Sequence, residues 1–172
     1  MMTNRKHLIY SFVPLVAFLV LARIIPHPPN FTPILGMAVF APYFCRDYFI
    51  SLALPLSALV LTDIILGFHG SMIWVYVSVG LIVALAHLGK LYAPTLARVT
   101  GLAVGGPALF FIITNFGVWL AGGLYPMTAE GLMACYIAAL PFFGNSLVST
   151  ILTAGITYMI IQRFQRRSLS RI

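Results

Sequence analysis

The sequence predicts an all-α integral membrane protein of six transmembrane helices, N-in and C-in. Three observations predict it: 61% of the 172 residues are apolar and 8% are charged, mean hydropathy is +1.02, and apolar runs of helical length alternate with short polar turns. Each membrane-crossing helix uses about 20 residues to span about 30 Å of hydrocarbon, so residues 1–162 form a single transmembrane domain. Residues 163–172 form a basic cytoplasmic tail, with no separate soluble domain.

The first run, Leu8 to Ile25, follows Arg5 and Lys6 and resembles a signal peptide. Leu21-Ala22-Arg23-Ile24 offers no small-x-small cleavage site, so a retained first helix is expected. The second, Phe31 to Phe44, is short and carries Pro33 and Pro42. Tyr48 to Leu66, Met72 to Leu88, Gly101 to Leu120 and Phe142 to Ile161 follow, each bounded by charge, Pro or Gly. Met127 to Leu140 reads as a short interfacial or re-entrant helix before the last span: Thr128 suits an N-cap, Glu130 its first turn, and Pro141 its end.

Charge fixes the orientation. With six crossings and a cytoplasmic N-terminus, Arg5, Lys6, Arg46, Lys90, Arg98, Arg163, Arg166, Arg167 and Arg171 all face inward, and Arg23 alone faces outward. That is the positive-inside pattern; a re-entrant second run or a seventh span would spoil it. The net charge of +7 thus reads as topology. Basic residues in clusters between apolar runs do not form a nucleic-acid surface, so no nucleic-acid partner is expected. The lipid bilayer is the first partner, with the tail near anionic headgroups. Cys45 and Cys135 fall on opposite sides, so an intramolecular disulfide is not expected.

The polar residues gather towards the outer side. Asp63 lies within the outer part of the third span, where an ionisable group needs a partner. Arg23, about one turn below the same surface, is the candidate, and the pair either clamps two helices or serves ligand binding or proton coupling. His27, Asp63, His69 and Glu130 are candidate metal ligands, though without local ligand spacing. His27 and His69 facing each other would suit a b-type haem or a pigment. His7 and His87 read as solvated or snorkelling groups near the cytoplasmic ends. Asn115, Trp119 and Tyr125 either bond between helices or line a pocket for a partly apolar ligand, and Asn145 opens the last span. Gly101 and Gly105 form GxxxG, a close-packing pattern. Nucleophile elbow, phosphate loop and paired carboxylates are missing from the sequence, so enzymatic activity is not expected.

The strings PHPPNFTPILGMAVF, LTDIILGFH, TNFGVWL and LYPMTAEGLMACYIAALPFFGNSL resemble those of an uncharacterised family of small bacterial inner-membrane proteins, a domain of unknown function. The resemblance runs from about His27 to Ser146. It implies a multi-pass protein of the bacterial inner membrane and transfers no catalytic residue. In architecture alone the chain is similar to the S components of energy-coupling-factor vitamin transporters, small six-helix proteins with cytoplasmic termini and an outward-facing pocket. The first span lacks the AxxxA pattern with which many S components dock, having Ala17 and Ala22, and the N-terminus lacks the Met-His start of the nickel and cobalt members.

Together these readings give an expected function: binding and uptake of a small vitamin-like or metal solute at an outward-facing site. Asp63, His69, Asn115, Trp119, Tyr125, Glu130 and Asn145 surround that site, and Arg23 partners Asp63. Cofactor and solute are unknown, and active uptake would need a partner transmembrane and ATPase module or a gradient. The alternative is a non-catalytic accessory or assembly subunit of a larger respiratory or photosynthetic membrane complex.

Overall fold

The computed structural model describes the backbone of residues 5–89, 91, 93–121 and 123–169, and the side chains of 12–89, 91, 93–121 and 123–166. The side chains of Arg5, Lys6, His7, Lys90, Arg167 and Arg171 lie outside the described ones. Among the described residues six helices follow in order: α1 (Arg5–Ile24), α2 (Ile34–Phe44), α3 (Tyr48–Leu66), α4 (Met72–Leu88), α5 (Leu96–Leu120) and α6 (Ala129–Leu169). No strand occurs among the described residues.

Local chemistry starts these helices. Asp47 Oδ1 accepts the backbone N–H of Ile50 at 2.9 Å and opens α3. Thr95 accepts from the N–H of Arg98 at 3.4 Å, so α5 begins five residues before the expected Gly101. Thr128 accepts from the N–H of Gly131 at 3.2 Å and opens α6, as its spacing to Glu130 suggested. Each satisfies a donor that the first turn of a helix cannot satisfy internally. Gly67 closes α3 with φ +99°, a conformation that costs a side-chain-bearing residue dearly.

The expected break at Pro141 does not occur. Instead of a short helix over Met127 to Leu140 and a separate last span, α6 runs unbroken for 41 residues, about 60 Å at 1.5 Å per residue. A proline removes one backbone bond and crowds the preceding turn. Here α5 supports α6 before and after it: Tyr136 donates to the carbonyl of Ile112 at 2.7 Å, and the Phe111 and Phe143 rings lie 5.0 Å apart. The helix also continues through Arg163 and Arg166, so the first part of the basic tail is helical.

The bundle is organised around α2, which packs against α3, α4, α5 and α6, while α1 leans on α3. Every residue of α2 from Ile34 to Pro42 is buried. α2 meets α6 closely at Gly36, where an added Cβ would meet Thr153 Cβ at 2.6 Å and Cγ2 at 2.8 Å. At Gly117 it would meet the Trp74 ring at 2.1 Å, which brings α4 against α5. Gly101 and Gly105, by contrast, meet nothing within 4 Å, so the close packing expected of that GxxxG is not made among the described residues.

Three of the described helices, α3, α5 and α6, are long and apolar enough to cross a membrane, and shorter apolar helices cover Phe12–Ile24, Ile34–Phe44 and Met72–Leu88. Large apolar side chains such as Ile64, Ile65, Ile151, Ile156 and Met159 point outward, while Thr62, Asp63, Ser78, Thr114, Ser146 and Thr150 are buried. Most of the buried hydroxyls donate to a carbonyl one turn back, as Thr62 does to Ala58 and Ser78 to Trp74. No buried side-chain nitrogen or oxygen among the described residues lacks a partner.

The tight α2–α6 contact gives a test. Gly36→Val forces Thr153 or the α6 backbone to move, and overpacking of this kind costs about 1–3 kcal/mol. Thermal unfolding of the purified protein in mild detergent should show the loss for Gly36→Val and none for Gly105→Ala.

Candidate functional site

Leu59, Thr62 and Asp63 lie three and four positions apart, on one face of α3. Against that face lies Arg23, in the last turn of α1. Its Nη1 is 2.7 Å from Asp63 Oδ1 and also donates to the Thr62 hydroxyl and, at 3.3 Å, to the Leu59 carbonyl. The other Asp63 oxygen accepts from the Tyr76 hydroxyl of α4 at 2.6 Å. The expected Arg23–Asp63 pair is therefore present, and it ties three helices. Asp63 is only 2% exposed, whereas the Arg23 side chain is 17% exposed.

Beside this pair lies a cavity of about 480 Å³, within the 300–1,000 Å³ typical of small-molecule sites. It exists because α2 starts late in the bundle. Its first residues, Ile34 and Leu35, form the base with Val79 of α4 and Phe110 of α5. Leu66, His69, Ser71, Leu124 and Tyr125 border the cavity at the loop end. Asn30, at φ +61° in the left-handed region that Asn tolerates, and Thr32 line it from the α1–α2 connection. Asn145 holds that connection from α6, donating to the Pro29 carbonyl at 2.9 Å.

Among the expected site residues, Arg23, His69, Asn115 and Tyr125 line the cavity, as does His27. Asp63 stands behind Arg23. Trp119 does not line it; its indole N–H donates to the Pro126 carbonyl at 3.0 Å and its ring leans on Phe116, so it holds the α5–α6 loop. Asn145 acts through the Pro29 bond, and Glu130 is exposed on the first turn of α6.

The four metal candidates are not brought together: among the described residues no three His, Cys, Asp or Glu side chains meet as ligands. Both ring nitrogens of His27 already face carbonyls, Nδ1 at 2.8 Å from Pro28 O and Nε2 at 3.2 Å from Arg23 O. A haem or metal on His27 would displace one of them. His69 Nδ1 is paired with the Ser71 hydroxyl at 2.9 Å.

Two features escaped the sequence reading. Phe110 and Phe111 of α5 and Phe142 and Phe143 of α6 give the cavity four aromatic rings; their signal was two adjacent Phe pairs on consecutive apolar runs. At the other end of the bundle His87, expected to be solvated, lies 2.6 Å from the Ser51 hydroxyl. Ser51 is buried and bonds the carbonyls of Asp47 and Tyr48, so this contact clamps α3 to α4. Nearby, burial and then the Asp47 charge push the free Cys45 thiol up.

A family model matches residues 2–171. The chain belongs to DUF6580, a family of unknown function. The match spans the whole cavity and the ion pair. Comparison with curated proteins and with solved structures found no match.

The ion pair yields a prediction with a sign. Removing one member of a buried pair leaves the other uncompensated, at a cost of about 3–5 kcal/mol, whereas replacing both with apolar groups is often neutral. Thermal or denaturant unfolding should show Asp63→Leu strongly destabilised, and Arg23→Met combined with Asp63→Leu close to the parent protein. Tyr76→Phe should cost less than Asp63→Leu, about 1.5–3 kcal/mol for a hydrogen bond to a charged group.

Proposed function

We propose that this chain is a membrane-embedded, small-solute-binding protein whose site faces outward, of the S-component kind. One observation carries the reading: a largely apolar cavity above the short α2, with a few polar groups converging on it from α1, α5 and the loops at one end. That is the chemistry of a small-molecule site. Solute uptake driven by ATP would require a partner transmembrane and ATPase module.

The membrane setting draws on the outward-facing apolar side chains and on the inward placement of the basic clusters. In the six-crossing, N-in and C-in topology, α2 covers about 16 Å of its passage with eleven residues, and residues 25–33 complete it. Irregular backbone at membrane depth is tolerated where it is buried in protein or lines a cavity. Asn30 and Thr32 meet that condition.

An accessory subunit of a larger membrane complex is the second reading. Its support is the open Gly101–Gly105 face of α5, against which nothing packs among the described residues.

Native mass spectrometry of the protein gently extracted from its own membrane separates the two. The expected spectrum is the protein carrying a vitamin-sized adduct, and Ala138→Trp, which adds bulk to the cavity wall, should abolish that adduct. A large assembly without a small molecule would overturn the reading in favour of the accessory subunit. Reporter fusions after Ile172 and within residues 67–71 should report the cytoplasm and the outer side respectively.

A further inference from the structure

We infer that the cavity takes an uncharged, planar, ring-containing molecule with an amide-like edge, one that both accepts and donates hydrogen bonds, rather than an ion. The inference deepens the solute-binding reading and rests on it.

Charge comes first. Arg23 is the one Lys or Arg among the described residues that lines the cavity, and no Asp or Glu lines it. Its charge is matched by Asp63 at 2.7 Å, and Asp63, 2% exposed and bonded through both oxygens, stays with it. The ion pair is neutral as a unit. An anion entering beside it would lose its hydration without meeting a net positive charge from the pair, the lining His27 and His69 being already bonded within the protein, and a cation would meet the guanidinium. Neither is recognised.

Hydrogen-bonding polarity comes second. The hydrogen bonds and ion pair of the Arg23 guanidinium run through Nη1. The remaining guanidinium edge, Nε and Nη2, can only donate, so it calls for an acceptor on the ligand. Asn115 is the complement. Its Nδ2 donates to the Phe111 carbonyl at 2.8 Å, which leaves Oδ1 to accept from a ligand donor. Thr114 and Ser146, also at the wall, have given their hydroxyl protons to Phe110 and Phe142 and offer only lone pairs. A neutral group with a carbonyl and an N–H satisfies both ends.

Shape comes third. The rings of Phe110, Phe111, Phe142 and Phe143 offer faces and edges on which a planar ring packs in offset or edge-on contact.

The test uses the full chain in lipid nanodiscs and four probes with the same bicyclic ring: naphthalene, naphthalene carboxamide, naphthoate and naphthylmethylammonium, measured by titration calorimetry. The carboxamide should bind at least about tenfold more tightly than any of the other three, as befits a site built to pair polar groups. Asn115→Leu should remove that advantage, bringing the carboxamide to the affinity of naphthalene in the same variant, as should Arg23→Met combined with Asp63→Leu, which keeps the interior free of an unpaired charge. Tightest binding of naphthoate or of the ammonium overturns the inference, and so does equal binding of all four, although either leaves the cavity a binding site. Failure of every probe overturns it too. In that case the native spectrum decides the wider reading: an adduct lost in Ala138→Trp keeps it, and no adduct removes it.

Discussion

A helix of eleven residues at the centre of a bundle sets the terms for everything around it. The helices beside α2 run from 17 to 41 residues, so at the loop end before Ile34 they have no α2 to pack on. Either side chains collapse into that volume or it persists as a cavity, and interiors rarely tolerate voids of this size without a use. Pro33 precedes the helix and Cys45 caps it, with its N–H bonded to Ala41. The length of α2 is therefore written into local backbone chemistry, and the cavity is its consequence.

The second constraint is electrostatic. A carboxylate buried at the α1–α3–α4 junction is tolerable because two donors reach it and two acceptors hold its partner: Arg23 and Tyr76 donate to Asp63, while Thr62 and Leu59 accept from Arg23. Such pairs add little net stability but penalise any arrangement that separates them. They specify one docking of α1 on α3, and they place a guanidinium at the cavity wall without giving the cavity a net charge.

Much of the fold was legible because hydropathy and capping are local signals. Each of the six apolar runs falls on one helix, closely so for α1 to α4, and Thr128 and Glu130 mark the start of α6. The continuity of α6 was not legible, since Pro141 is a local signal for a break and the support that overrides it comes from α5. The GxxxG of α5 failed for the same reason: the sequence shows small residues but not whether a neighbour fills the groove, and here Gly36 and Gly117 make the close contacts. At the site, Arg23 and Asp63 could be paired by depth alone. Trp119, Glu130 and Asn145 share that outer zone yet miss the cavity, because depth says nothing about which side of a helix a residue occupies. The Phe pairs and the Ser51–His87 contact depend on which helices become neighbours, which no single segment records.

The tightness of Gly36 against Thr153 has a mechanical side. A contact with no spare space cannot absorb displacement, so a tilt of α6 carries the start of α2 with it. That start, Ile34 and Leu35, is the base of the cavity, and Phe142 and Phe143 of the same α6 form part of its wall. Base and wall are thus joined through that contact, and bulk added at Gly36 would disturb both at once.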